Sequence, residues 1–388
     1  MEDDQTRMMA ADSPGMLQSG LARKHLPTLD GLRAVAVLLV ILLHAGLPSP
    51  GGLGVLMFFV LSGFLITWLL LKENASAGTI SISDFYFRRV LRIFPAFYVY
   101  AVFAIVLGVF VVRRIVWPQV IASLLYVNNY YQAIHGDPST GFSHTWSLGV
   151  EEQFYLTWPA LFILLRRDMP NFRRVVSALI VGAWVYRAIL QFVFNVHQGW
   201  FYEAFDTRFD HLLVGCLLAL LLFKAPKQRW AQWERLCSNG SLLLGACVLL
   251  AFSAYLEFLY NPGYRDSIAF IVDPLLVAAL IPMLIAQRER IAVRWLESAP
   301  VKYVGRISYS AYLYQQWVTE PVMKLLRGLP LLLRVALTVG AVLVAASCSY
   351  YVIERPFLRL KDWKYRNKAQ TSAAAGDTSA VPQSSFVQ

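Results

Sequence analysis

Long apolar runs alternate with short polar segments along most of the chain, and this pattern predicts an all-α membrane protein. Several runs approach 20 residues, the length with which an α-helix crosses a bilayer. A helix also satisfies its own backbone hydrogen bonds in lipid, so no closed barrel is required. We therefore predict about ten transmembrane helices, at residues 32–49, 54–71, 95–112, 146–165, 175–194, 211–223, 241–260, 268–286, 307–323 and 331–353.

One further apolar stretch, at 115–134, does not fit this series. Its apolar part is short and contains Trp117 and Pro118, which favours a re-entrant or surface helix. If this stretch were counted as a crossing, every later loop would be placed on the opposite side of the membrane, which would break the alternation of basic and non-basic loops. With ten crossings, both termini lie on one side, and 27 of the 35 Lys and Arg residues fall in the segments on that side. Basic residues concentrate in cytoplasmic loops, so we expect both termini in the cytoplasm.

Composition supports the membrane class and excludes others. The chain is 57% hydrophobic and only 15% charged, whereas roughly a quarter of the residues of soluble proteins are charged. The concentration of basic residues on the cytoplasmic side, together with an anionic ligand bound there, accounts for the net charge of +11. We therefore predict no nucleic-acid partner. The four cysteines form no CxxC pair, and the histidines of the predicted outer loops lack ligand spacing, so we predict no metal site.

The predicted domain organisation is simple. Residues 1–25 and 363–388 are polar and are expected to be disordered cytoplasmic tails around a membrane domain at 26–362. We expect no second globular domain after Lys368.

The first predicted span carries Arg33 near its start and His44 deep inside it. Eleven residues at 100° each return to nearly the same helix face, about 16.5 Å along the axis. An ionisable group inside a membrane usually faces protein or a water-filled cavity and has a task. His44 is therefore a candidate proton-handling residue, with a neutral histidine bonded between helices as the alternative.

Three arginines stand at the start of the third span. Arg88 and Arg92 share a helix face, as do Arg89 and Arg92. One interpretation is that these arginines are the basic residues that ordinarily flank a membrane helix on its cytoplasmic side. The other is a site for a phosphorylated, adenine-bearing ligand, because guanidinium groups clamp phosphate and stack on the neighbouring aromatic rings.

The second and fourth spans carry further polar residues. Ser62 and Gly63 either allow close helix approach or leave room for a ligand. Two adjacent carboxylates, Glu151 and Glu152, open the fourth span, and Tyr155 shares a face with Glu151. We expect Glu151 to orient the His44 imidazole or to bind an acceptor hydroxyl.

The residues around those carboxylates complete the predicted substrate site. His144, Trp146, Glu152 and Tyr155 are the candidate acceptor-binding residues. In residues 208–211 (Arg-Phe-Asp-His), a structural ion pair is one interpretation of the charged residues.

Taken together, these motifs resemble acyltransferase family 3, the polytopic bacterial O-acyltransferases that modify sugars. The resemblance covers about residues 26–362 and follows family order. Its motifs are 29–33 with His44, 58–66, 88–95, 146–159, 305–313 and 354–357. One position departs from the family, which often has a histidine where this chain has Gln315.

The resemblance implies an acyl-CoA donor, usually acetyl-CoA, that approaches from the cytoplasm as a co-substrate rather than a bound cofactor. His44 would be the essential histidine, acting as general base toward a carbohydrate or glycolipid hydroxyl in the inner or plasma membrane. The donor site would comprise the arginine cluster with Ser62, and Arg33 and Glu151 would assist the chemistry. Direct transfer is the preferred mechanism, and an acyl-histidine intermediate is the alternative.

Two other functions stay open at this stage. A transporter or flippase for a glycoconjugate would share the basic face and the buried charges. A non-catalytic relative is the other, because Gln315 can hydrogen-bond but cannot exchange protons near neutral pH.

Overall fold

The structure is a computed structural model that describes residues 15–260, 263–360 and 363. Helices account for its regular secondary structure across these residues. The first nine are α1 Met16–Ala22, α2 Pro27–His44, α3 Gly51–Ala77, α4 Ile82–Val106, α5 Trp117–Leu124, α6 Asn128–His135, α7 Trp146–Leu165, α8 Met169–Phe192 and α9 Gln198–Glu203. The others are α10 Phe209–Leu222, α11 Lys227–Cys237, α12 Gly240–Tyr260, α13 Phe270–Ala286, α14 Ile291–Arg294, α15 Ala299–Arg306, α16 Ser308–Leu325 and α17 Leu331–Ser349.

A helix lies at each of the ten predicted spans. By length and apolar composition, seven helices in the described residues can cross a membrane. Helices α7, α10 and α16 are not among the seven, since α10 has only 14 residues and the other two carry polar positions. The count of ten and the side of the termini stay predictions. The stretch 115–134 forms α5 and α6, eight residues each, which at about 1.5 Å per residue are too short to cross.

Helix α3 is the centre of the bundle. Its most apolar stretch is 78% buried inside the protein, compared with 17% for α12. The most extensive helix contact joins α3 to α10. At this contact Gly63 meets the backbone of Leu212, and Gly215 meets the backbone of Val60, where a Cβ atom would clash. The close-approach interpretation of Gly63 is therefore confirmed, because only glycine lets the two backbones meet there.

The polar groups that matter below lie at the two ends of this core. We call one the basic end, where α2 and α4 begin and α3 ends. We call the other the histidine end, where α2 ends and α3 and α7 begin.

The expectation that residues 1–25 are disordered is wrong for residues 16–22. This segment forms α1, whose Leu17 and Leu21 are fully buried, one helical turn apart. The Glu234 carboxylate accepts hydrogen bonds from the Leu17 backbone N–H at 3.0 and 3.1 Å. Burial of the two leucines and this cap outweigh the polar composition of the segment. Residues 1–14 and 364–388 lie outside the described residues.

Candidate active site

A cavity that is open to solvent at one end lies among α2, α3, α4, α7 and α16. Eight of the candidate site residues line it, although they come from four separate helices. They are Arg33, Ser62, Arg88, Arg89, Arg92, Glu151, Glu152 and Tyr155. The structure thus brings most of the predicted site together in one place.

Arginine side chains dominate the wall at the basic end. Arg88 forms an ion pair with Glu73 at 2.9 Å, whereas Arg33, Arg89 and Arg92 form no ion pair within the described part of the chain. The Arg89 guanidinium instead lies 4.4 Å from the centre of the Tyr155 ring. Although Glu151 and Glu152 line the same cavity, the three guanidinium groups without a direct ion pair among the described residues can bind an anion.

Sequence reasoning missed several residues at the mouth of this cavity. Arg23, Lys24, His25 and Lys72 line it beside the arginines. The adjacent Arg23 and Lys24 directly precede the first apolar run, and this was the available signal. Lys72 lies near the C-terminal end of α3, far in sequence from Arg23 and Lys24, so only the fold brings it to the mouth.

The carboxylate of Glu151 is held in the cavity by a hydroxyl group. Ser62 Oγ donates a hydrogen bond to Glu151 Oε1 at 2.8 Å. Ser62 thus faces the cavity while Gly63, the next residue, packs against α10. The close-approach interpretation thus applies to Gly63, and the interpretation that this place leaves room for a ligand stays a prediction.

His44 lies outside this cavity, which corrects the predicted position of the residue. Helix α2 begins and ends five residues earlier than the predicted span, so His44 is its last residue and is exposed. The ring is oriented by its own helix, since Nδ1 lies 2.8 Å from the Val40 carbonyl oxygen. A carbonyl only accepts, so Nδ1 carries the proton and Nε2 of the neutral ring has the free lone pair. The predicted orientation of the imidazole by Glu151 is not observed, because Glu151 is bonded to Ser62.

A second histidine, His144, lies near His44 and beside Tyr312 of the cavity wall. Burial, and to a smaller extent the nearby His44 imidazole, lowers the pKa of His144 to about 3, so this ring is neutral at physiological pH. The Tyr312 ring lies 5.4 Å from it, and the Tyr312 hydroxyl donates to the His144 carbonyl oxygen at 3.0 Å. Tyr312 and Ser147 also line the cavity and lie 2.6 Å apart through their hydroxyl oxygens. The hydroxyl groups that line the cavity at the histidine end are thus neutral hydrogen-bonding groups.

Two other predicted features are placed differently from the expectation. Trp146 is not in the cavity wall but packs on Phe59, with ring centres 6.2 Å apart. The structural ion pair that was one interpretation of residues 208–211 is present, but its partner lies outside that motif: Asp210 pairs with Arg187, at 2.7 Å. Arg187 comes from α8, so sequence adjacency could not reveal this partner.

Together, the fold and the cavity define a multi-pass helical membrane protein with an internal basic site. Residues 26–350 match the family model described as "Acyltransferase domain", and the chain belongs to this acyltransferase family.

The relatives found by sequence are similar over most of this chain. It is 30% identical over 358 residues to the "Peptidoglycan O-acetyltransferase OatA" of Listeria monocytogenes, covering 86% of this chain and 56% of that protein. It is 31% identical over 380 residues to the "Putative peptidoglycan O-acetyltransferase YrhL" of Bacillus subtilis, covering 88% and 58%. A "Putative O-acetyltransferase" of Staphylococcus aureus (strain COL) is 30% identical over 360 residues, covering 86% and 57%. The chain thus spans less than three fifths of each of these relatives. No solved structure matches the chain.

Proposed function

We propose that this protein is an integral-membrane O-acetyltransferase. It moves an acetyl group from acetyl-CoA to a hydroxyl group of a carbohydrate acceptor, and the names of its relatives favour a peptidoglycan acceptor. Acetyl-CoA is a co-substrate that leaves as CoA. The plasma membrane is the proposed location, with the basic end toward the cytoplasm.

The observation that carries this proposal is the gathering of Arg33, Arg89 and Arg92 in one cavity, where none of them forms a direct ion pair within the described residues. Coenzyme A carries phosphates on a nucleotide head and a long, thin pantetheine arm. Guanidinium groups bind phosphate through parallel N–H bonds and stack on aromatic planes. Arg23, Lys24 and Lys72 at the mouth add positive charge where the nucleotide would enter. The donor therefore binds at the basic end, with its arm directed toward Ser147 and Tyr312.

The chemical step takes place at the histidine end. His44 Nε2 accepts the proton of the acceptor hydroxyl while that oxygen attacks the thioester carbonyl carbon. The carbon–sulfur bond breaks, and the CoA sulfur leaves with the proton that His44 had taken. The products are an acetyl ester and CoA, so no other reactant is needed. The exposed His44 side chain lets an acceptor reach the ring.

The remaining candidate residues serve the substrates. Glu151, fixed by Ser62, binds the acceptor hydroxyl or the groups around the thioester from the cavity wall. Tyr155 holds Arg89 in place through its ring, and Glu152 faces the same cavity. His144 and Trp146 form the acceptor side of the site.

The test is an acetyl-transfer assay on the purified protein in nanodiscs, with labelled acetyl-CoA and soluble peptidoglycan fragments as acceptor. We expect labelled, base-labile ester on the glycan with the wild type and none with His44→Ala, although that variant still binds CoA. Failure of the wild type to transfer label to any glycan would contradict the proposal. Full transfer by His44→Ala would leave the acetyltransferase but remove His44 as its base.

A further inference from the structure

Arg208 is a fully buried arginine whose side chain has no hydrogen-bond partner in the part of the chain that the structure describes. It lies immediately before α10 with 0% exposure. None of Nε, Nη1 and Nη2 has a partner among residues 15–260, 263–360 and 363. Buried polar groups are nearly always hydrogen-bonded, so five unsatisfied N–H groups at one place indicate a missing partner.

A neighbouring arginine shows what a satisfied guanidinium looks like in the same region. Arg187 is also buried, and it binds both carboxylate oxygens of Asp210 at 2.7 and 2.9 Å. It also donates to the carbonyl oxygens of Thr207 and Phe270. The Arg187 guanidinium therefore finds its hydrogen-bond acceptors within the protein. The guanidinium of Arg208, two residues before Asp210, finds none among the described residues.

Aromatic rings enclose Arg208. The guanidinium carbon lies 4.1 to 5.7 Å from four ring centres, those of Phe270, Tyr202, Phe59 and Trp146. Such rings stabilise the charge through their faces. They provide no acceptor for in-plane N–H groups, so the hydrogen-bonding capacity of Arg208 stays unused.

The acidic groups nearby do not fill this role. Asp210 is bound to Arg187, and Asp266 is bound to Arg265 at 2.8 Å. Glu257 is half-buried and interacts with Arg208 only through the electric field, without a hydrogen bond. An oxyanion from outside the protein is the partner that matches a free guanidinium fork.

The position of Arg208 separates this place from the donor site. Phe59 and Lys72 both belong to α3 and stand 13 residues apart, about 20 Å along its axis. Lys72 lies at the mouth of the basic cavity, and Phe59 contacts Arg208. Phe59 also lines the cavity, so one aromatic ring lies between Arg208 and the interior of the site. An anion held by Arg208 would thus sit at the histidine end, the end that the proposed function gives to the acceptor.

We propose that Arg208 is the anion-binding subsite for the acceptor, holding a carboxylate or phosphate oxyanion of the glycan or of its carrier. The aromatic rings of Trp146 and Tyr202 would cover the sugar next to that anion. The subsite selects acidic acceptors and fixes the hydroxyl relative to His44. This inference rests on the proposed function, since it assigns a part of the acceptor to this place.

The test measures binding without donor, so that it does not depend on transfer. The probes are a disaccharide with one carboxylate, the same disaccharide with that carboxylate converted to an amide, and a third with a phosphate ester instead. Each is titrated into the full-length protein in nanodiscs, for the wild type, Arg208→Gln and Arg208→Lys. Arg327→Gln, at an exposed arginine on another loop, is the matched control.

We expect the wild type and Arg327→Gln to bind the charged disaccharides about tenfold more tightly than the amide. In Arg208→Gln that ratio should fall to near one, and Arg208→Lys should retain part of it. A stronger preference for the phosphate form assigns the anion to a phosphorylated carrier, and a preference for the carboxylate assigns it to the glycan. Equal binding of all three probes to the wild type, or an unchanged ratio in Arg208→Gln, would overturn the inference and leave Arg208 with internal water only.

A second measurement covers the case in which Arg208→Gln does not fold. The Trp146 ring lies 5.7 Å from the guanidinium, so its fluorescence should report an anion there. The charged disaccharides should change the emission of the wild type more than the amide does, and Trp146→Phe should remove that difference. No difference between charged and neutral probes in the wild type would contradict the subsite. Charge-dependent binding without any acetyl transfer would keep the subsite and refute the proposed reaction.

Discussion

The two ends of the helix bundle carry polar groups in opposite ways. At the basic end, seven lysine and arginine side chains face one cavity, namely Arg23, Lys24, Arg33, Lys72, Arg88, Arg89 and Arg92. At the histidine end, the cavity wall carries the hydroxyl groups of Ser147 and Tyr312, and burial keeps the nearby His144 neutral. The Arg208 guanidinium of this end lies outside the cavity and is enclosed by aromatic rings. The difference suits two tasks, because a charged wall collects an anionic donor, whereas neutral groups accept and return a proton.

Removing His44 should have the largest effect on turnover. His44→Ala deletes the proposed general base, and such groups contribute about 10²- to 10⁴-fold to rate, so transfer should fall by that factor with CoA affinity unchanged. His135→Ala is a matched control, since His135 also ends a helix and its Nδ1 also lies near the carbonyl oxygen four residues earlier, at 3.0 Å. Equal losses in the two variants would mean that only helix-end structure was disturbed.

Removing an unpaired arginine should affect donor affinity instead. Arg89→Ala and Arg92→Ala each lose a charge-assisted contact of roughly 1.5–3 kcal/mol, so the Kd for CoA should rise about 10- to 100-fold. Calorimetric titration of CoA measures this, with Arg327→Ala as the exposed control. Added salt should weaken binding in the wild type more than in the variants. Unchanged CoA affinity in both variants would remove the donor from the basic end.

A Glu151 variant shows whether this carboxylate acts with the basic end or with the histidine end. Glu151→Ala removes the carboxylate that Ser62 holds, and we expect the acceptor KM to rise roughly tenfold with little change in CoA affinity. Ser62→Ala should have a smaller effect, because the carboxylate stays. If Glu151→Ala instead weakens CoA binding as much as Arg89→Ala does, Glu151 belongs to the donor site.

Gln315 should give the smallest effect. Its side chain is completely buried, and neither amide atom has a hydrogen-bond partner in the described residues. Gln315→Met has similar size and removes a group that is costly to bury, so transfer should be unchanged and the thermal midpoint equal or higher. A large loss of transfer in the folded variant would show that this position acts in the reaction, as its departure from the family pattern suggested.

Local spacing predicted the features that depend on one helix, and missed those that depend on several. The arginines of α4 share a wall because residues three and four apart face the same way. Ser62 and Gly63 face different neighbours because adjacent residues on a helix point about 100° apart. Lys72 reaches the cavity mouth from a different helix than the arginines of α4. Arg187 and Asp210 likewise belong to separate helices. Spacing along one helix does not reveal such partners.

The helix ends explain the misplacement of His44. The apolar run continues through Leu47, so the sequence favours a longer helix, but the chain leaves α2 after His44 and turns at Gly46, which has a φ of +82°. Glycine adopts that conformation readily. His44 consequently lies exposed at a helix end, rather than at the depth that the hydrophobic pattern predicts.

The most direct test of the two-ended account places donor and acceptor on opposite sides of a membrane. The protein is reconstituted into sealed liposomes that contain an impermeant glycan acceptor, and labelled acetyl-CoA is added outside only. We predict labelled glycan inside the vesicles with the wild type, and none with His44→Ala or with empty liposomes. Label that reaches the glycan only when donor and acceptor share one compartment would contradict the assignment of the two substrates to opposite ends.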